Sequence, residues 1–252
     1  MTALHKSVFA ENFITQVHQL RTPPDGFTGP SPAPPRENLG SQLTQRIQFL
    51  LDRIPDGARV LDLGSGIGDI AFFLESKKNA SVLCIERRPE HVQLCKEKGL
   101  KVIEADLNNL DDPGLMWALS QHWDAVVIID TISYWKYPAL ILAALSDRVG
   151  KVLLTIPNGA HIGKRLQALA GKMQEFPNTR SNNDNIMEFD LSWSYQKWTL
   201  QGFSKWAAAL GYRCQLLARR SSKATYKKPG LLPSLLARAF ILELTPTDNL
   251  SI

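Results

Sequence analysis

The sequence has few cysteines and no long apolar run, and each shortage excludes a class of protein. Cys84, Cys95 and Cys214 stand in 252 residues without a C-x-x-C pair or a metal-ligand spacing, which argues against a disulfide scaffold and a zinc site. The longest apolar runs, Ala125–Ile129 and Ala139–Leu145, fall well short of the ~18 residues that span a membrane. The first residues contain no apolar segment typical of a signal peptide. We therefore expect a cytoplasmic protein with reduced thiols, no bound metal and no membrane contact.

Acidic residues are absent from one long segment. The 52 residues from 191 to 242 contain no Asp or Glu but nine Lys or Arg, whereas the rest of the chain carries 20 basic and 24 acidic residues. The formal net charge of +5 thus combines a segment of +9 with a remainder of −4. Such an asymmetry favours an anionic partner.

The first 40 residues differ in composition from the rest. Residues 6–20 place apolar side chains at helical spacing, and residues 21–35 contain six prolines, which is typical of a linker. We predict an amphipathic helix and a Pro-rich linker over 1–40. This helix either closes over a pocket as a lid, or packs on the sheet or on a second subunit, so that a homodimer stays open. Residues 41–252 are predicted to form one domain.

An alternation of short β-rich runs and helical segments begins at residue 59. It predicts βαβ units, right-handed crossovers and a doubly wound, mostly parallel sheet of the α/β class. Residues 158–198 are polar and Asn-rich, and they are predicted to form a cap insertion because they are too long for a plain connection. The predicted strands are 59–63, 81–85, 100–105, 124–130, 150–157, 212–218 and 236–244, and the predicted helices between them are 69–77, 89–98, 137–148 and 199–212.

A glycine-rich turn follows the first predicted strand. Gly64, Gly66 and Gly68 form a G-x-G-x-G pattern, in which the backbone can turn sharply and approach a ligand closely. A dinucleotide fingerprint requires glycine at the next position, where this chain has Asp69. The charge of Asp69 would oppose a pyrophosphate at the helix N-terminus. The motif therefore disfavours NAD.

Carboxylates recur at the ends of successive strands. Asp62 ends the first strand, Glu86 follows the second and Asp106 follows the third. Because ligands bind outside the carboxyl ends of a doubly wound sheet, the three side chains should line one crevice. A carboxylate after the second strand can accept hydrogen bonds from ribose hydroxyls, and one after the third can accept from an adenine amino group. The crevice thus suits an adenosine without phosphate.

With these motifs the chain resembles the class I S-adenosylmethionine-dependent methyltransferases over roughly residues 41–244. The resemblance implies a Rossmann-like, seven-stranded sheet of order 3-2-1-4-5-7-6 with the last strand antiparallel. It also implies S-adenosyl-L-methionine as the cofactor and S-adenosyl-L-homocysteine as the product. The implied cofactor-binding residues are Asp62, Gly64, Ser65, Gly66, Gly68, Glu86, Arg87, Asp106, Leu107 and Asp130. From Gly150 onward, a strand ending in IPNGAH and followed by an Asn-rich segment resembles the MetW-type proteins of methionine biosynthesis.

Three residues are candidates for a catalytic role. Asp130 follows the fourth strand at the crevice, and Tyr134 lies in the next turn. His161 lies just past the fifth strand, and its imidazole is suited to a general base. A helix-capping or surface histidine and a core-packing tyrosine are the structural alternatives. The predicted substrate rim consists of Tyr195, Arg219 and Arg220.

The sequence predicts an enzyme that methylates a small organic molecule by in-line transfer. The basic residues between the strands predicted at 212–218 and 236–244 favour an anionic or carrier-bound acceptor. Nucleic acid is the weaker interpretation because no Asn-Pro-Pro-Tyr-type motif follows the fourth strand. Three alternatives stay open at this point. They are a tRNA or rRNA methyltransferase, a MetW-like regulatory partner of a biosynthetic enzyme, and a use of the sulfonium other than methyl transfer.

Overall fold

A computed structural model describes residues 8–20, 44–170, 198–220, 226–228 and 233–247. The predicted Pro-rich linker lies outside the described residues, as does most of the predicted cap. The helices of the described ranges are α1 (Val8–Gln19), α2 (Gln45–Leu51), α3 (Asp69–Lys78), α4 (Pro89–Glu97), α5 (Pro113–Ser120), α6 (Pro138–Leu145), α7 (Ile162–Leu169), α8 (Leu200–Ala209) and α9 (Pro233–Leu236). The strands are β1 (Arg59–Leu63), β2 (Ser81–Glu86), β3 (Lys101–Glu104), β4 (Trp123–Ile128), β5 (Val149–Pro157), β6 (Tyr212–Arg220), β7 (Tyr226–Lys227) and β8 (Ala239–Pro246).

All eight strands join one sheet of order β3-β2-β1-β4-β5-β8-β6-β7. Strands β1 to β5 pair in parallel, whereas β8 lies antiparallel between β5 and β6. The predicted order and the antiparallel last strand are confirmed. Within the described residues the sheet has eight strands instead of the predicted seven because β7, two residues long, pairs antiparallel with the end of β6.

Local sequence signals set the beginnings of several helices. Proline is among the first residues of α4, α5 and α6, where its missing N–H would have no partner within the helix. Asp112 and Thr199 accept backbone N–H groups of the first turns of α5 and α8, which satisfies donors that a helix start leaves open. These starts direct each helix back along the sheet after its strand.

Helices cover both faces of the sheet. Successive residues of a strand point to opposite faces, so Val60 packs with one buried cluster and Leu61 with the other. The first cluster contains residues of α2, α3 and α4, and the second contains residues of α1, α5, α6 and α8. The result is a three-layer α/β fold whose strand ends are open for a site.

Helix α1 belongs to the layer formed by α5 and α6. Phe13 and Val17 are buried in the cluster of that layer, and the helix packs against both neighbours. His18 Nε2 lies 3.2 Å from the backbone oxygen of Ala144 and 3.5 Å from Asp147 Oδ1. Because α6 runs back from the carboxyl edge of the sheet, these contacts place the end of α1 at the opposite edge.

Candidate functional site

The glycine turn predicted from the sequence links three strands. Gly64, Gly66 and Gly68 have φ angles of 81°, 57° and 79°, which side chains with a Cβ rarely adopt. Gly64 N–H donates to Ile85 in β2 over 2.8 Å. A Cβ atom at Gly64 would lie 2.6 Å from Thr131 Cγ2 in the turn after β4. Glycine is therefore required at this position both by the backbone conformation and by the close neighbour.

Asp62 lies beneath this turn and is almost fully buried. Its Oδ2 atom has no hydrogen-bond partner among the described residues. Burial, together with the nearby charge of Glu86, raises the pKa of Asp62 to about 7. A buried acceptor without a donor is costly unless a ligand supplies one. Asp62 can therefore accept a hydrogen bond from a donor group of a ligand.

Glu86, at the end of β2, accepts a hydrogen bond from the backbone of the glycine turn. Its Oε2 accepts from Gly66 N–H at 2.9 Å, and its Oε1 accepts from Arg87 and Arg88 N–H at 3.0 Å each. Only about one of the roughly four acceptor positions of a carboxylate is then left. The side chains of Arg87 and Arg88 are exposed. Glu86 is therefore fixed in orientation and can accept about one further hydrogen bond.

Asp106 and Leu107 lie in the turn after β3. Asp106 Oδ1 accepts from Asn108 N–H at 2.9 Å, while Leu107 is buried in the core. Asn108 also connects this turn to the one after β4, because its Oδ1 accepts from Lys136 N–H at 2.6 Å and its Nδ2 donates to Tyr134 O at 3.3 Å. The turns after β3 and β4 thus form one wall of the crevice.

A cysteine of α4 supports the glycine turn from below. The Cys95 thiol donates to Gly66 O at 3.3 Å and lies 4.0 Å from Ser65 Oγ. Ser65 N–H donates to Ile85 O at 3.1 Å. The sequence predicted Ser65 as a cofactor-binding residue, but it predicted no part in the site for the cysteines.

A buried lysine supports the same turn and was missed by the sequence reasoning. Lys98, directly after α4, is about 1% exposed. Its Nζ donates to Ile67 O at 2.7 Å and to Asp69 Oδ1 at 2.8 Å. Asp69, used above as an argument against NAD, is therefore half of an ion pair that fixes the last part of the turn. His91 of α4, with its buried Nδ1 near Gly66, was also missed.

Asp130 lies where predicted, just beyond the end of β4, and has three described contacts. Its N–H donates to Thr155 Oγ1 at 2.7 Å, and the Thr155 hydroxyl donates to Asp130 Oδ1 at 2.7 Å. The other carboxylate oxygen pairs with Arg46 Nη1 of α2. The backbone φ of Asp130 is 58°, an uncommon left-handed conformation that Asp tolerates better than most residues. The carboxylate is therefore held on both oxygens.

Tyr134 lies in a 3-10 turn after β4 and is 40% exposed. The neighbouring Trp135 is buried in the core. Of these two aromatic residues, only Tyr134 presents its side chain to the outside of the fold at the carboxyl edge. The position permits contact with an acceptor.

His161 lies at the start of α7. Its Nδ1 accepts Gly163 N–H at 3.1 Å, a helix-capping contact that leaves the proton of a neutral imidazole on Nε2. This contact matches the helix-capping alternative given by the sequence, and the role of His161 as a general base stays a prediction. Asn158, buried before it, donates to Ala237 O at 2.7 Å and to Ser234 O at 2.9 Å. The start of the predicted cap is thereby fixed to the segment before β8.

Arg219 and Arg220 end β6, on the same edge of the sheet as the glycine turn. Arg219 lies opposite Lys227 and Arg220 opposite Tyr226 in the β6–β7 pair. Gln45 of α2 is bonded to both backbone groups of Tyr226, with its Oε1 accepting at 2.9 Å and its Nε2 donating at 3.2 Å. Arg46, the next residue of α2, pairs with Asp130 just beyond β4. The first turn of α2 therefore connects the β6–β7 hairpin to the crevice. The third predicted rim residue, Tyr195, lies outside the described residues.

Within the described part of the chain, no three His, Cys, Asp or Glu side chains converge as metal ligands. None of the helices in those ranges is long and apolar enough to cross a membrane.

The strand order, the inserted antiparallel β8 and the glycine turn after β1 define the fold of the class I methyltransferases. Solved structures share it at low sequence identity. A TehB-like S-adenosylmethionine-dependent methyltransferase from Corynebacterium glutamicum is 16% identical with a TM-score of 0.51, covering 82% of this chain and 90% of its own. A methyltransferase from Archaeoglobus fulgidus is 11% identical with a TM-score of 0.53, covering 79% and 91%. The magnesium protoporphyrin IX methyltransferase of Synechocystis PCC 6803, solved with bound S-adenosylmethionine, is 13% identical with a TM-score of 0.50, covering 81% and 79%.

The family follows from a sequence comparison. The family model described as methionine biosynthesis protein MetW matches residues 45–189, which is more than half of the chain, and the chain belongs to this family. The match begins in α2 and spans the glycine turn, Glu86 and Asp130. No curated protein matches the sequence.

Proposed function

We propose that this protein is an S-adenosylmethionine-dependent methyltransferase that acts on a small organic acceptor. The observation that carries the proposal is Asp62, a buried carboxylate with an unpartnered oxygen beneath a glycine turn. An amino group of a ligand would supply the missing donor and would favour the ionised form of Asp62. The class I fold and the MetW family support the same conclusion.

The residues of the crevice fit the parts of this cofactor. Asp62 would take the ammonium of the methionyl part, and the backbone of the glycine turn would lie along it. Glu86, with one acceptor position left, would accept from the ribose, and Asp106 and Leu107 would border the adenine. When bound, the cofactor supplies an electrophilic methyl group on a sulfonium.

The chain's own part in the reaction is alignment and exclusion of water. Asp130 is held by Thr155 and Arg46, and His161 Nδ1 accepts a backbone N–H. These contacts orient both side chains, and the half-exposed carboxylate of Asp130 keeps further acceptor positions. Tyr134 is exposed beside the turn after β3 and would contact the acceptor.

The acceptor is proposed to carry negative charge. Arg219 stands directly opposite Lys227, and like charges in opposed positions destabilise a strand pair. Glu243 is the only acidic residue in the described ranges between 198 and 247. A carboxylate, a phosphate or an acidic carrier protein at this rim would relieve the repulsion. A long nucleic acid is less well matched because the rest of the chain is acidic.

Family membership favours a second candidate function. A MetW-family protein with this crevice could act as a partner of a biosynthetic enzyme. It would then bind the cofactor as a regulatory ligand and would not transfer the methyl group. The two functions differ in an extract experiment. Incubation of the protein with a metabolite extract and isotopically labelled S-adenosylmethionine yields a labelled, methylated product only if the protein is an enzyme.

Isothermal titration calorimetry with S-adenosylmethionine and S-adenosylhomocysteine tests the cofactor assignment. We expect binding in the micromolar range, lost in Asp62→Ala and Glu86→Ala and retained in Glu104→Gln, a change of an exposed carboxylate on β3. The assignment is wrong if neither compound binds the folded wild type, or if both alanine variants bind as well as it does.

A further inference from the structure

Two cysteines lie beneath the glycine turn, and the proposed methyl transfer uses neither of them. Cys84 is in β2 and Cys95 is in α4, and both side chains are fully buried in the same cluster between the sheet and its helices. Cys84 stands opposite Asp62 in the β1–β2 pair. A hydrogen bond joins the two thiols, with Cys84 as the donor and the Cys95 sulfur as the acceptor. The fold thus brings two sulfur atoms together under the crevice.

The two thiols differ in their chemistry. The hydrogen bond from Cys84, aided by one from Ser65, lowers the pKa of Cys95. The same bond to Cys95, together with burial, raises the pKa of Cys84. Because the thiolate is the nucleophilic form of cysteine, Cys95 is the thiol that reacts first with an oxidant. Cys84 is then the neighbouring thiol that can react with the oxidised sulfur.

The sulfur of Cys95 faces the glycine turn. It lies 3.3 Å from Gly66 O and 4.0 Å from Ser65 Oγ, and a Cβ atom at Gly68 would lie 2.9 Å from it. Ser65 and Gly66 are themselves partly exposed. A local opening of this turn therefore gives a small oxidant access to Cys95 while the core stays folded.

A disulfide between these cysteines is incompatible with the contacts of the turn. The two sulfurs of a disulfide are about 2.05 Å apart, closer than those of hydrogen-bonded thiols. The Cys95 sulfur must move toward β2, and without its proton it no longer donates to Gly66 O. Gly66 N–H in turn donates to Glu86 Oε2 at 2.9 Å, so that the change reaches the carboxylate proposed to accept from the ribose. Oxidation below the turn therefore alters the crevice above it.

We propose that Cys84 and Cys95 form a reversible disulfide when the protein meets hydrogen peroxide, and that this disulfide weakens cofactor binding. In the first step the Cys95 sulfur attacks one peroxide oxygen, and the O–O bond breaks to give a sulfenic acid and water. In the second step the Cys84 sulfur attacks the Cys95 sulfur, and the hydroxyl leaves with the Cys84 proton as a second water. The peroxide gains the two electrons that the two thiols lose. Formation of the disulfide is independent of the proposed function, whereas its effect on the cofactor rests on it.

The variant Cys214→Ala tests the proposal. It removes the third cysteine, which lies in β6, and leaves Cys84 and Cys95 as the only thiols of the chain. The folded variant is treated with hydrogen peroxide, mapped by peptide mass spectrometry without reductant, and titrated calorimetrically with S-adenosylhomocysteine. We expect a cross-link between the two peptides within a monomer, with the loss of two hydrogen atoms. The affinity should fall by about tenfold or more and return on treatment with dithiothreitol.

The matched control removes the second thiol of the pair. The double variant with Cys84→Ala and Cys214→Ala keeps Cys95 but has no partner for it. After the same treatment it should form no cross-link within the monomer, and Cys95 should carry a sulfenic acid that dimedone traps. Urea unfolding of the untreated variants shows whether each is folded before the comparison, and the measurement on Cys214→Ala does not depend on the double variant.

Each outcome has one interpretation. Peroxide-treated Cys214→Ala without a cross-link overturns the inference, and so does a cross-linked protein that binds S-adenosylhomocysteine as tightly as the reduced one. An affinity that falls without a cross-link, or that dithiothreitol does not restore, means damage elsewhere and also overturns it. A double variant without a sulfenic acid on Cys95 overturns the order of the two steps. A reduced protein that binds no S-adenosylhomocysteine contradicts the proposed function, while the cross-link is still measured by mass.

Discussion

Replacing Asp62 with asparagine should remove a loss of stability that the cofactor-free protein undergoes as the pH rises from 4 to 8. The pKa of Asp62 is raised from 3.8 to about 7, first by burial and second by the charge of Glu86. Between these two values the folded state binds more protons than the unfolded state. Its stability therefore falls as the pH rises through this window and levels off above pH 7. An asparagine does not ionise and escapes this loss.

The pKa difference sets the size of the effect. A rise from 3.8 to about 7 corresponds to at most roughly 4 kcal/mol by which ionisation of Asp62 disfavours folding. Between pH 4 and pH 8, the free energy of unfolding of Asp62→Asn minus that of wild type should therefore increase by up to roughly 4 kcal/mol.

Urea unfolding of the cofactor-free protein at a series of pH values measures this difference. Asp111→Asn, a change at an exposed position, serves as the control and should show a nearly constant difference from wild type. A constant difference for Asp62→Asn as well would refute the reasoning, because it would mean that Asp62 titrates near its ordinary pKa in the folded state.

Three other substitutions test separate parts of the structure. Gly64→Ala should destabilise the fold by about 1–3 kcal/mol and abolish S-adenosylhomocysteine binding, because the new Cβ meets Thr131 at 2.6 Å in a left-handed conformation; normal binding would contradict this. Lys98→Met should lower the free energy of unfolding by about 2–4 kcal/mol, since it leaves a partly buried carboxylate unpaired, and binding should weaken with it; an unchanged urea midpoint would contradict this. Tyr212→Phe removes a buried hydrogen bond of 2.7 Å to Leu142 O and should cost about 1–2 kcal/mol in urea unfolding, with ligand affinity unchanged.

Much of the sheet could be predicted because its strands are buried and short. The predicted segment 59–63 coincides with β1, and 150–157 differs from β5 by one residue. Helix α5 was missed because Pro113–Ser120 is apolar on nearly every side and shows no helical periodicity. Helix α7 was placed within the cap, and β7 is too short to leave a pattern. The short helix α5 and the two-residue strand β7 thus lay below what the sequence pattern could distinguish.

The candidate site could be predicted only in part. In a doubly wound sheet, ligands bind outside the carboxyl ends of the strands. Glycines and carboxylates at those strand ends are therefore candidate ligand contacts, so Asp62, Glu86 and Asp130 could be named. Arg46, the partner of Asp130, could not be named, because it lies 84 residues away in the chain. The sequence at the start of a helix does not show whether an arginine side chain faces a crevice. Lys98 resembled a solvent-exposed lysine among other charged residues. Side chains that support a site from other elements acquire their role only through the tertiary fold.

The most direct test of the account is the number of protons released when S-adenosylhomocysteine binds at pH 7. Calorimetric titrations in two buffers with different ionisation enthalpies give this number. Because the pKa of Asp62 is about 7, roughly half of the molecules carry a proton on it before binding, and the ligand's ammonium should displace that proton. We predict binding in the micromolar range with release of roughly half a proton at pH 7. Absence of binding, or binding with identical heats in both buffers at pH 7, would contradict the account.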